Sequence, residues 1–210
     1  MYKVLMVDDH AIVRRGLRAI LEEEIQDIDV EEAGTAHEGL AVLRDHLPDA
    51  VVLDIGLPDR NGLELLKRIH HEWPHLPVLI LSMFSEDQYG LRVMRAGALG
   101  YLTKASAPEN LVEAVKKVLS GRRYISPTLA DKLAAHLSGD DDEEPYQALS
   151  DREYQVFRMI ASGKTVSEIA VELHLSVKTI STHRARILRK TGLKNNAELT
   201  HYALAKHLVE

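Results

Sequence analysis

The 210-residue chain has no cysteine, which excludes disulfide staples, zinc fingers, Cys-ligated iron–sulfur clusters and thiol catalysis together. No apolar run approaches the ~18–20 residues needed to cross a bilayer, and no hydrophobic leader segment follows the start. A cytoplasmic protein with no membrane attachment is therefore expected. Carboxylates are missing from one long stretch, with none between Glu172 and Glu198. The formal net charge of −6 would by itself argue against nucleic acid as a partner. That charge is unevenly spread. Residues 149–210 hold ten Lys/Arg against six Asp/Glu, a net +4, which leaves 16 bases against 26 acids, a net −10, for residues 1–148.

The two halves meet at a polar acidic run, Ser138-Gly-Asp-Asp-Asp-Glu-Glu-Pro145, whose composition cannot bury a core. Three regions are expected: a domain over 1–121, a linker over 122–148 and a basic domain over 149–210. Within the linker, Leu129/Leu133/Leu137 predict a short amphipathic helix over Thr128–Leu137. The acids Asp140–Glu144 read as a solvated spacer. The alternative is that they compete with DNA for the basic domain.

In the first region, Val4–Val7, Ala50–Leu53 and Val78–Leu81 are continuous aliphatic runs, as parallel strands covered on both faces require. Ile28–Ala33 and Gly100–Leu102 are weaker strand candidates. Apolar residues at helical spacing separate them, as in Val13/Leu17/Ile20/Leu21, Ala36/Leu40/Leu43/Leu47 and Leu111/Ala114/Val115/Val118. Further helices are predicted over Asn61–Glu72 and Asp87–Ala96. Five strands alternating with helices predict an α/β, doubly wound parallel sheet.

Ligands of such sheets bind at the carboxyl ends of the strands. Asp8 and Asp9 follow the first strand, Asp54 the third, Ser82 ends the fourth and Lys104 follows the fifth. Clustered carboxylates repel unless a cation neutralises them, and oxygen ligands of this kind suit Mg²⁺. A metal-held carboxylate beside a lysine is placed to attack a phosphoryl group.

The runs Val7-Asp-Asp-His, Leu53-Asp-Ile-Gly-Leu-Pro-Asp-Arg-Asn-Gly62, Leu81-Ser82 and Gly100-Tyr-Leu-Thr-Lys104 resemble the receiver domain of two-component response regulators. The resemblance implies a flavodoxin-like fold in which Asp54 accepts a phosphoryl group from a sensor histidine kinase. It implies Mg²⁺ held by Asp9, Asp54 and the Gly56 carbonyl, with Asp8 acting through a metal-bound water. Lys104 would pair with the phosphoryl oxygens and Ser82 would hydrogen-bond them, letting Tyr101 turn inward and reshape the face around the fourth and fifth helices. Where the family usually carries a cis proline, Ala105 follows Lys104; a non-proline cis bond costs about 3–4 kcal/mol, so a trans, less pre-organised loop is expected.

Residues 149–210 read as four helices. Ser150 caps the first, Gly163-Lys-Thr165 breaks the chain, and a short second helix carries Ile169, Ala170 and Leu173. His174-Leu-Ser176 is a tight turn, with Ser176 capping a long helix that Gly192 stops, and Asn195/Glu198 precede a last helix over Asn196–His207. Two helices, a short turn and a basic second helix form a helix-turn-helix pattern in a small all-α domain. At 100° per residue, Val177, Ile180, Ile187, Leu188 and Thr191 face the core, while Lys178, Thr182, Ala185, Arg186 and Arg189 lie opposite. Bases of one sign, with small residues between them, suit close approach to a groove.

Leu149-Ser-Asp-Arg-Glu153, Thr165-Val-Ser-Glu-Ile-Ala170, Leu175-Ser-Val-Lys-Thr-Ile-Ser-Thr-His183 and Leu188-Arg-Lys-Thr-Gly-Leu193 are similar to a LuxR-type DNA-binding domain. The similarity implies base-edge contacts from Ser181, Thr182 and Ala185, and backbone contacts from Lys178, Thr179, Arg186 and Lys190. Ser181 and Ala185 stand where some relatives carry lysines, so shape recognition would carry more of the specificity. The last helix, around Leu199, Tyr202, Ala203 and Leu208, would form the dimer contact.

The whole chain thus resembles response regulators of the NarL/FixJ type. It is expected to be a transcriptional regulator whose only catalysis is its own phosphoacceptance and dephosphorylation. Its expected partners are a histidine kinase, promoter DNA, RNA polymerase and, on activation, a second copy. The rivals are a Mg²⁺-dependent phosphatase using Asp8 and Asp54, and a DNA-binding protein with a phosphorylation-independent receiver. Two residues after Asp54 stands Gly56, and two after Ser82 stands Phe84, where receivers carry polar side chains that position the hydrolytic water. A long-lived aspartyl phosphate is predicted; decay within seconds in the purified phosphoprotein would contradict it.

Overall fold

The structure is a computed structural model. It describes residues 1–138 and 144–209, apart from the side chains of 136–138, so Asp140–Glu143 and the side chain of Leu137 lie outside the described residues. The chain divides into two compact units, Met1–Ala134 and Ala135–Glu210.

The first unit alternates strands and helices: β1 (Tyr2–Val7), α1 (Ala11–Glu24), β2 (Ile28–Ala33), α2 (Ala36–Asp45), β3 (Ala50–Asp54), α3 (Gly62–Glu72), β4 (Val78–Ser82), α4 (Glu86–Arg95), β5 (Gly100–Thr103) and α5 (Ala107–Leu119). The strands form one parallel sheet in the order β2-β1-β3-β4-β5, as the alternating pattern requires. Both central strands, β3 and β4, are buried along their whole length, which is why they read as unbroken aliphatic runs. Val4, Met6, Ala50, Val52, Leu79 and Leu81 share one face with Leu17, Leu21, Leu111, Val115 and Val118 of α1 and α5. On the other face α2 lies against β1 so closely that a Cβ on Gly39 would meet Val7 at 3.0 Å.

The segment after α5 was expected to be a linker, and its first part is built into this unit. The Tyr124 backbone bridges to the outer edge of β5: its N–H donates to Leu99 O (2.9 Å) and its carbonyl accepts from Tyr101 N (3.0 Å). An exposed strand edge is a template for unwanted pairing, and this bridge covers it. Next comes α6 (Pro127–Ser138), close to the helix anticipated from its leucines. Leu129 is buried, and its methyls sit 3.0 Å from where a Cβ on Gly90 would stand. Ser126 caps α6 by accepting from Leu129 N (3.0 Å), and both its N–H and its hydroxyl donate to the Glu86 carboxylate at the start of α4.

Beyond α6, the second unit holds a 3₁₀ turn, Pro145–Ala148, followed by α7 (Asp151–Ala161), α8 (Val166–Glu172), α9 (Val177–Thr191) and α10 (Asn196–Ala205). Ser150–Glu153 and Thr165–Glu168 both form complete capping boxes. Gly192 ends α9 at φ +71°, a left-handed conformation that glycine adopts without penalty. Tyr154, Phe157, Ile160, Ile169, Ile180 and Ile187 make its core. Glu144 is anchored here, accepting from the Tyr202 hydroxyl (2.9 Å) and pairing with Lys206.

Leu129→Ala would remove most of the apolar contact holding α6 while sparing the sheet. Hydrogen exchange is expected to quicken by about tenfold or more at α6 amides and to stay unchanged in β3 and β4; equal acceleration in both would contradict a locally docked helix.

Candidate functional site

Parallel strands in register align their carboxyl ends, and the ladder here pairs Val7 with Leu53, Asp54 with Leu81 and Ser82 with Thr103. Asp8, Asp54, Ser82 and Lys104 therefore arrive in one row, each carried by a different strand end. Lys104 N also donates to Ser82 O (2.7 Å), tying the last two members together. The expected carboxylates and lysine do converge. Lys104 Nζ lies 2.6 Å from Asp8 Oδ2 and 2.7 Å from Asp54 Oδ2, with all three side chains no more than 5% exposed. Gly56 N–H donates to Asp54 Oδ1 (3.0 Å).

Burial pushes the Asp54 carboxyl above its ordinary value, and the Lys104 and Gly56 hydrogen bonds only partly oppose it. For Lys104 burial favours the neutral amine, but hydrogen bonds and charge from Asp54 and Asp8 outweigh it, so the group is raised and remains an ammonium. Asp9 is exposed at the mouth.

Ser82 is fully buried, its hydroxyl oxygen accepting from Phe84 N (3.1 Å). Tyr101 is buried, its hydroxyl donating to Phe84 O at 2.8 Å. Ser85 O lies 3.4 Å away as a second acceptor. A buried phenol needs such a partner, and the turn before α4 supplies it. The Lys104–Ala105 bond is trans.

Three residues that support this pocket escaped the sequence reading. Arg14 donates to the Asp8 carbonyl and, through Nε, to Glu32 (3.1 Å), pinning the Asp8–Asp9 turn to β2. Asp59 in the loop after Asp54 accepts from Ala36 N and His37 N (both 2.9 Å), satisfying the first two free N–H groups of α2. His10, quoted only within a motif, places Nδ1 2.7 Å from Asp9 Oδ1. A helix-capping carboxylate more than twenty residues away in sequence leaves no local signal. Gly62 packs so tightly on the Asp54 carbonyl that a Cβ would lie 2.2 Å from it, which accounts for glycine at the start of α3.

In the second unit, Lys178, Ser181, Thr182, Ala185, Arg186 and Arg189 are exposed on α9, and Thr179 is half-buried. Among the described residues no ion pair is made by Lys178, Arg186 or Arg189. Thr182 donates its hydroxyl back to Lys178 O (2.9 Å). Lys190, expected to contact a nucleic-acid backbone, is exposed but is engaged within its own unit. Its ammonium bonds Glu153 (2.6 Å) and Ala148 O (3.3 Å).

Two expectations need correction. Val177 was assigned to the core, but at the first position of α9 it is 51% exposed, while Ile180, three residues on, is fully buried. Leu199 and Ala203 were assigned to a dimer contact, yet both are fully buried within their own domain, and side chains that fill a core offer no surface. The exposed side of α10 carries Ala197, His201, Leu204 and Ala205 instead.

Comparison with known proteins agrees with the geometry. Residues 4–116 match the family described as the response regulator receiver domain, and residues 147–203 match the bacterial regulatory proteins of the luxR family. The chain is 37% identical over 206 residues to the response regulator UvrY of Escherichia coli K12, covering 97% of this chain and 94% of that one. It is 36% identical over 212 residues to the response regulator GacA of Pseudomonas aeruginosa, covering 100% and 99% of the two chains. Among solved structures, RcsB of Salmonella enterica serovar Typhimurium, bound to promoter P1flhDC in the presence of phosphomimetic BeF3⁻, aligns with a TM-score of 0.67. Its identity is 27%, covering 97% of this chain and 98% of that one. The protein belongs to the response regulator family, with an N-terminal receiver domain and a C-terminal LuxR-type helix-turn-helix domain. Its relatives place it in the NarL/FixJ type. Among the described residues no helix is long and apolar enough to cross a membrane.

Burial alone would raise the Glu153 carboxyl, but Lys190 and the Ser150 N–H and hydroxyl outweigh it and hold it below its ordinary value. A depressed carboxylate contributes stability above its unfolded pKa of about 4.3, and that stability is lost as pH falls through the folded value. Glu153→Gln is expected to lower the melting temperature of the second unit near neutrality and to flatten its decline below about pH 5. Parallel melting curves at all pH values would refute the assignment.

Proposed function

We propose that the protein is a phosphorylation-activated transcriptional regulator. What carries this reading is the buried Asp8–Lys104–Asp54 cluster at the strand ends, joined in one chain to a helix bearing unpaired bases. An Asp54 carboxylate oxygen attacks the phosphorus of a kinase phosphohistidine; the P–N bond breaks and a P–O bond forms. Asp8, Asp9, Asp54 and the Gly56 carbonyl fit Mg²⁺, an oxygen-preferring ion that offsets negative charge on the transferring oxygens when bound. Lys104, already an ammonium, exchanges carboxylate partners for phosphoryl oxygens.

Ser82 releases Phe84 N and turns its hydroxyl to the new phosphoryl group. Because Phe84 is also the acceptor for Tyr101, that exchange strains the turn that leads into α4. Phosphorylation then shifts a population toward the DNA-competent form and does not create it. The C-terminal domain is released to dimerise on paired half-sites, and the second half-site raises affinity through effective concentration. On DNA, Lys178, Thr179, Arg186 and Arg189 meet phosphates, and Ser181, Thr182 and Ala185 approach base edges. Lys190 joins them only by leaving Glu153. Pairing uses the exposed side of α10, through His201 and Leu204. RcsB bound to promoter DNA with a phosphomimetic supports the scheme by likeness.

The test is a gel shift with wild type and Asp54→Ala, each with and without acetyl phosphate and Mg²⁺. Only phosphodonor-treated wild type is expected to bind promoter DNA tightly, by about tenfold or more over the other three. Equal affinity in all four conditions would reject the switch.

A further inference from the structure

One ionisable ring on α9 plays no part in the contacts described so far. His183 follows Thr179 by four residues and precedes Arg186 by three and Lys190 by seven, so all four share one edge of the helix. That edge meets α7, where Lys190 bonds Glu153. The ring is half-buried, and its Nδ1 is buried without a hydrogen bond among the described residues. A buried Nδ1–H would need an acceptor, so the neutral ring keeps its proton on Nε2 and an idle lone pair on Nδ1. The charges that act on it are Arg152 and Glu153 of α7 and Arg186 of α9. Burial, Arg152 and Arg186 together hold the imidazole below its ordinary value, with Glu153 opposing them. The other carboxylates near α9 are committed elsewhere: Glu168 to Thr165, Glu172 to Lys164, and Glu144 to Tyr202 and Lys206. The 3₁₀ turn packed on α9 brings Tyr146 and no charged side chain. Glu153 is thus the carboxylate that faces His183. It is 4% exposed, while the ammonium that neutralises it belongs to an exposed residue.

We propose that DNA binding draws a proton onto His183, which replaces Lys190 as the counter-charge of Glu153 when Lys190 turns to the DNA backbone. The inference rests on the reading of α9 as the DNA-contacting helix. Lys190 reaches a phosphate only by leaving Glu153, and a buried carboxylate deprived of its cation is costly. Either neighbour could relieve that cost by taking a proton. A carboxyl ordinarily titrates at about 4.3 and an imidazole at about 6.5, and Glu153 is held lower still. The imidazole therefore takes it, on the lone pair that Nδ1 leaves unused. Lys190 keeps all three of its ammonium protons and exchanges a carboxylate oxygen for a phosphate oxygen; solvent supplies the proton that His183 gains. Arg186, drawn to a phosphate as well, ceases to oppose charge on the ring. Because the complex holds more protons than its separate parts, affinity rises as pH falls through the imidazole range.

The test uses the full-length protein treated with acetyl phosphate and Mg²⁺, and a duplex selected by that protein from a random pool. Calorimetry near neutral pH, in buffers of different ionisation enthalpy, counts the protons taken up on binding. Wild type is expected to take up about half a proton per protomer, and His183→Gln almost none. From about pH 8 to about pH 6, wild-type affinity is expected to rise about fivefold beside a flat profile in the variant. Lys190→Gln removes the cation of Glu153 before any DNA arrives. Nuclear magnetic resonance of the His183 Cε1–H in that variant is expected to show titration at higher pH than in wild type. This arm needs no DNA and stands even if His183→Gln does not fold. No proton uptake in wild type, equal uptake in wild type and His183→Gln, or an unshifted His183 titration in Lys190→Gln would overturn the proposal. Failure of wild type to select or bind any duplex would defeat the DNA-contact reading itself.

Discussion

Everything in the receiver domain depends on holding Asp8 and Asp54 side by side in a nearly dry pocket. Two buried carboxylates repel, and burial alone already pushes Asp54 toward its neutral form. The arrangement survives because Lys104 reaches both, at 2.6 and 2.7 Å. Removing one partner of a buried charge cluster typically costs about 3–5 kcal/mol, because the remaining charge is left uncompensated. The same tension makes the site useful. A cluster that needs cationic charge in the free state can accept another anionic group once that charge is redistributed. The parallel register concentrates carboxyl-end side chains at one edge, and the loops beyond it supply the restraint. Arg14 grips the Asp8 carbonyl, and Asp59 ties the loop after Asp54 to α2.

The DNA-binding domain answers a different electrostatic problem. Its long helix must present bases to solvent with few local carboxylates to neutralise them, so it is stabilised from its ends and its buried side. Ser176 caps the start through Thr179 N (3.0 Å), and Gly192 closes the end. Glu153 and Lys190 bind α9 to α7 in a pair that engages one base, while Lys178, Arg186 and Arg189 make no ion pair among the described residues. An ion-paired base and three without an ion pair thus stand only a few residues apart on one helix.

Between the sheet and the linker, a short chain of contacts runs from Tyr101 to Phe84 O and Ser85 O, through the first turn of α4, and from Glu86 to Ser126 at the head of α6. The turn before α4 thereby also seats the segment leaving the receiver. Tyr101 lies inward and α6 is docked, both through contacts with the turn and first residues of α4.

The sequence by itself determined the five strands, the order of the helices, and the identity of the carboxylates, hydroxyl and lysine at the strand ends. Those signals are local: aliphatic runs, helical spacing and caps such as Ser150 with Glu153 are written in neighbouring residues. Charge likewise separated an acidic receiver from a basic reader. Only the tertiary structure decided how side chains from distant segments meet. It put Asp59 on α2, Arg14 on the Asp8 turn, Lys190 on Glu153 and Leu129 on Gly90. It also buried Leu199 and Ala203 in the core, where helical spacing alone could not tell an inward face from one that seeks a partner. Local pattern reports which side of an element is apolar; what that side packs against is set by the closing of the chain in three dimensions.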